Sequence, residues 1–78
     1  MNLSTHIANA HKNLENPHHD PDLIAYTFID HKEELEAMGL YDLCWALAHD
    51  LNCHRNDIKG FLELLEKQLK EQECQKQP

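Results

Sequence analysis

The chain has 78 residues, 14 acidic and 7 Lys or Arg side chains, and a formal charge of −7 with its seven histidines neutral. That length predicts one small domain over residues 1–78, without room for a deep substrate cleft. The acidity disfavours nucleic acid and anionic membrane as partners, because both repel a negative surface. With two glycines, three prolines and few β-branched residues there is little from which to build hairpins, so the expected fold class is all-α: a compact bundle of three to four helices.

The first helix is expected at about 4–15. Leu3, Ile7, Ala10 and Leu14 share one face, Ser4 is placed to cap the start, and Pro17 forces an end. Asp20 before Pro21 reads as a second start, with Asp at the N-cap and Pro in the first turn. This second helix is expected over 21–38. Ile24, Phe28, His31, Leu35 and Met38 form its inner stripe, and Asp30, Glu33 and Glu34 face water. Gly39 suits a left-handed helix end, with Leu40 supplying the contact that follows such a cap.

The third helix is expected over 41–51, with Leu40, Leu43, Cys44, Leu47, Ala48 and Leu51 buried and Tyr41 and Trp45 flanking. The fourth is expected over 57–73, with Ile58, Phe61, Leu62, Leu65 and Leu69 on one side and Gly60 allowing close helix approach. Residues 74–78 should fray. Leu64 widens the apolar face of this last helix, and Ile58, Leu62, Leu65 and Leu69 follow a heptad step. Docking of a partner, or a homodimer through helix four, is therefore expected there.

From Leu47 to Leu62 the apolar and small residues fall at the spacing of two short-linked, crossing helices. Leu47, Ala48 and Leu51 close one helix, Asn52 and Cys53 form the turn, and Ile58 and Phe61 open the next. Over about 20 residues this resembles the helix-turn-helix superfamily, with Asn52 in place of the usual glycine. The resemblance implies helix-turn-helix-like geometry for the last two helices. It also implies, as an alternative function, a transcription regulator reading DNA through His54, Arg55, Asn56 and Lys59.

The leading functional reading is a small, acidic, non-catalytic regulatory protein, an adaptor or inhibitor of the kind phages and mobile elements encode. Its expected partner is a protein, met by Asp30, Glu33, Glu34, Leu64, Leu65 and Leu69. A second alternative is a nucleic-acid mimic using the acidic side of helix two. No enzyme activity is expected, because Cys53 and His54 are sequence neighbours and seldom point at each other. No cofactor and no metal is expected either, since no paired-cysteine or four-ligand spacing occurs. Three cysteines, no apolar leader and no run of about 18 apolar residues suggest reduced thiols, a cytoplasmic location and no membrane span.

Overall fold

The computed structural model describes residues 2–50 and 52–76, with side chains to residue 71. It is an all-α bundle: α1 (Leu3–Glu15), α2 (Pro21–Thr27), a 3₁₀ turn (Phe28–His31), α3 (Lys32–Met38), α4 (Tyr41–Ala48) and α5 (Arg55–Lys76). Among the described residues no helix is long and apolar enough to cross a membrane.

The first helix begins one residue earlier than expected. Asn2, not Ser4, is its cap, and the Asn2 side chain accepts the Thr5 N–H at 2.8 Å. Leu3, Ile7 and Ala10 are buried along the expected stripe, with Leu14 packed at its edge. Pro21 occupies the first turn of α2, but the Asp20 side chain makes no cap bond. The single helix expected over 21–38 is interrupted by the 3₁₀ turn. One cause is local: the Thr27 hydroxyl donates back to the Ile24 carbonyl at 2.6 Å and draws it out of the α ladder. Gly39 ends α3 at φ +73°, its N–H bonding Glu36 O, while Leu40 N–H reaches Leu35 O at 2.9 Å. These are the two bonds of a Schellman cap, and only glycine takes that backbone conformation without strain.

In α4, Cys44 and Leu47 point inward, and the Cys44 thiol donates to the Ala25 carbonyl at 3.3 Å. Leu43, expected to be buried, is 39 % exposed, because α4 presents the Leu40–Cys44–Leu47 stripe to α2 and α3 and leaves its neighbour at the flank. The helix stops at Ala48 rather than 51, and Leu51 lies outside the described residues. Residues 49–54 make the connection, longer than the three to four residues of a typical helix-turn-helix turn. Among the described residues only Gly39 has a positive φ, so Asn52 does not take the left-handed role. Its N–H instead bonds the Asp50 carboxylate at 2.9 Å.

The last helix starts at Arg55, two residues before the expected boundary, and runs to Lys76 rather than 73. His54 N–H donates to Asp57 Oδ2 at 3.2 Å, the returning half of a capping box. Ile58, Phe61, Leu62 and Leu65 are fully buried, and Phe61 meets Phe28 edge-on with centroids 5.7 Å apart. The apolar seam of α5 is thus largely taken up by the chain's own core, against α1 and α2. Its N-terminus is tied to α1 by one side chain. The Arg55 guanidinium donates to the carbonyls of Leu14 (2.7 Å), Pro17 (3.0 Å) and His19 (3.0 Å). The Leu14 carbonyl lies in the last turn of α1, where the helix leaves acceptors unsatisfied and favours a cation.

Replacing Arg55 by Ala strands these carbonyls and should lower unfolding stability by about 2 kcal/mol, with Lys a poor substitute for the planar fork; urea denaturation measures it. A Cβ at Gly60 meets nothing within 4 Å, so this glycine does not serve close helix approach. Gly60→Ala should stabilise the protein by roughly 0.5–1 kcal/mol in the same assay.

Candidate functional site: an acidic aromatic face and a histidine network

The residues expected to meet a partner are dispersed. Asp30, Glu33 and Glu34 are exposed on the 3₁₀ turn and α3. Two carboxylates of this acidic side have cationic or histidine partners: Glu34 contacts His31 Nδ1 at 3.0 Å, and Glu36 lies 3.9 Å from Lys32. On α5, Leu64 is 42 % exposed, but Leu65 is fully buried and is not available at the surface. Leu69 packs on the edge of the core, lining a shallow groove between α1 and α5 with Ser4, Ile7, Ala8 and His11. His11 closes one side of this groove through a hydrogen bond to Glu66. Of the four residues expected to read DNA, His54, Asn56 and Lys59 are exposed, while Arg55 is turned inward onto its three carbonyls.

The largest exposed side chains lie elsewhere. Tyr26 on α2 is 59 % exposed and Trp45 on α4 is 50 % exposed. His49 lies between them, its ring centroid 4.0 Å from Trp45 and 6.5 Å from Tyr26. The His49 Nδ1–H donates to the Trp45 carbonyl at 2.9 Å and fixes the ring over the end of α4. Leu23 and Leu43 add exposed aliphatic surface on the same two helices. Neither α2 nor α4 contains Lys or Arg, whereas Asp22 and Asp42 stand in their first turns. The amphipathic stripes explain the placement: burial of Ile24, Ala25, Cys44 and Leu47 leaves Tyr26 and Trp45 pointing outward. The signal in the sequence is an apolar residue in excess of each helix's inner stripe, of the same kind as Leu64 on the last helix.

Next to this face, Cys53 is pushed up to about 11 by burial and by the charges of Asp57, Asp50 and Asp22. Cys44 is also pushed up to about 11, by burial alone. Both are therefore protonated thiols at neutral pH, poor as nucleophiles and as metal ligands. Among the described residues, no three His, Cys, Asp or Glu side chains group to hold a metal ion.

A second polar constellation spans the seam between α1 and the 3₁₀ turn. His6 stacks on the buried Phe28 ring, centroids 4.1 Å apart, and its Nε2 lies 2.8 Å from Thr27 Oγ1. His31 Nε2 lies 3.0 Å from His6 Nδ1. His31 was expected on the inner stripe and is mostly buried there, but its partner His6, 25 residues away, carried no spacing signal. Comparison with protein-family models, curated proteins and solved structures finds no match, so function is argued from this geometry alone.

Burial, and then the charge of His31, holds His6 below its ordinary value of 6.5, against a smaller opposing effect of Asp30. A histidine whose folded value is depressed takes up its proton more readily in the unfolded chain. Its contribution is complete above pH 6.5 and is lost as pH falls through the folded value. Wild type should therefore lose more stability between pH 7 and pH 5 than His6→Gln, as read from urea midpoints across that range.

Proposed function

We propose that this chain is a small non-catalytic interaction protein that docks onto a basic protein partner through the face formed by α2 and α4. The observation that carries the reading is the pairing of Trp45 and Tyr26, each at least half exposed, on two helices without a single Lys or Arg. Trp and Tyr are the side chains that most often dominate binding energy, because they bury large area at low entropic cost. A lysine or arginine from the partner can lie over the indole face while Asp22 and Asp42 meet its charge. The net charge of −7 would steer a cationic partner toward the chain.

This reading keeps the expected class, an acidic adaptor or inhibitor, and moves its surface from helix four to α2 and α4. DNA reading by α5 has less support. Freeing Arg55 would break three hydrogen bonds that hold α1 in place, and Lys59 is then the main cation left on that stretch.

The test is affinity capture from nuclease-treated lysate, followed by titration of the purified partner against the fluorescence of the chain's single tryptophan. Trp45→Ala and Tyr26→Ala should each weaken binding at least tenfold, and salt should weaken the wild-type complex. Glu33→Gln with Glu34→Gln should leave it nearly unchanged. A partner indifferent to both aromatic substitutions, or lost with the nuclease, would rule out this surface.

A further inference from the structure

The hydrogen bonds around His6 and His31 fix where both rings keep their lone pairs. The Thr27 hydroxyl proton is committed to the Ile24 carbonyl at 2.6 Å, since a carbonyl can only accept. Thr27 Oγ1 therefore accepts from His6 Nε2–H at 2.8 Å, which leaves the lone pair of the neutral ring on Nδ1. On the other ring, Nδ1 faces the Glu34 carboxylate at 3.0 Å, so that nitrogen carries the hydrogen and Nε2 the lone pair. The two nitrogens left as acceptors, His6 Nδ1 and His31 Nε2, are 3.0 Å apart and face each other. With both rings neutral, two lone pairs at that distance repel, so the pair calls for one shared cation, a proton or a metal ion.

We propose that His6 Nδ1 and His31 Nε2 form a two-nitrogen site for one divalent transition-metal ion of the zinc, nickel or copper class. With metal–nitrogen bonds of about 2.0–2.1 Å, the observed separation subtends an angle of about 95° at the metal, which suits adjacent positions of a tetragonal or octahedral shell. A tetrahedral zinc shell needs the rings to part by a few tenths of an ångström. The outer bonds have the form that orients metal-bound histidines, with Glu34 behind one ring and the Thr27 hydroxyl behind the other. The protein supplies two ligands and water completes the shell. The pocket in front of the rings is open to solvent and lined by Asn9, Asn13, Thr27 and Asp30. The charge of Asp30 reaches His6 and offsets part of the cation's charge. Imidazole nitrogens select against magnesium and calcium, which take oxygen. A bound ion would join α1 to the 3₁₀ turn and stiffen the seam between them.

The test is titration of the intact chain with Zn²⁺ and Ni²⁺ at pH 7.5, read by calorimetry and by the imidazole C–H resonances of all seven histidines. One equivalent should bind, shift the His6 and His31 resonances first, and raise the melting temperature. His31→Gln should weaken this binding at least tenfold, and Glu34→Gln by about tenfold through the lost outer bond. His49→Gln and His11→Gln should bind as wild type. Acidification to pH 5.5 should release the ion as protons take its place. Because His6→Gln also removes a ring stacked on the core, the wild-type resonances decide the case if that variant does not fold. No saturable binding at one equivalent, or binding that shifts other histidines while His6 and His31 stay in place, would overturn the proposal and leave a proton as the only cation of the pair.

Discussion

The structure depends on the fork of Arg55. One guanidinium closes the open carbonyl end of α1, gathers the 16–20 loop and anchors the first turn of α5. Without it, α1 would still pack through the stripe of Leu3, Ile7, Ala10 and Leu14 and through the contacts of His6 and His11, but nothing would tie its C-terminal carbonyl to the loop and α5. The planar guanidinium spreads its three bonds over two nitrogens in fixed geometry, whereas a lysine offers all its N–H groups from one nitrogen. The same commitment takes the strongest base-reading side chain of the segment away from solvent. Architecture and the loss of a DNA-reading surface therefore have one cause.

With α1 and α5 joined, α2 and α4 are left to cover one side of the core, and their composition becomes the surface chemistry of that side. Both are short and can bury only one stripe. Tyr26, Trp45, Leu23 and Leu43 are left over, on helices that carry aspartates and no Lys or Arg of their own. At the seam between α1 and the 3₁₀ turn the polar content is different in kind. His6 and His31 are held by defined acceptors on their outer nitrogens, so their inner nitrogens are oriented by the fold and do not rotate freely.

Much of the architecture was legible because it rests on local rules. The helical class, the Ile7 and Phe61 stripes, the Pro21 start and the Gly39 cap all follow from spacing, proline geometry and the left-handed tolerance of glycine. Boundaries were less legible where two caps competed. Asn2 and Ser4 are both good N-caps, and only the geometry shows which accepts the Thr5 N–H. The break in the helix over 21–38 turns on where the Thr27 hydroxyl donates, and a threonine has several acceptors open to it within a turn.

The candidate sites were scarcely legible. Spacing puts Leu65 on the stripe of Ile58, Phe61 and Leu62 and Leu64 beside it, but it does not say whether that stripe is covered by a partner or by α1 and α2. His6 and His31 are 25 residues apart, with most of α1, a loop and all of α2 between them, so nothing in their spacing couples them.

The sequence by itself determined the class of the fold, the acidic balance and the helix ends before Pro17 and at Gly39, because these depend on side-chain periodicity and on backbone preferences within a few residues. Only the tertiary structure decided that Arg55 is a staple, that α1 and α2 cover Leu65, that Trp45 and Tyr26 are both exposed, and that two distant histidines bring ring nitrogens within 3.0 Å of each other. Those outcomes depend on which helix lies against which, and so on contacts between residues far apart in the chain that no local pattern encodes.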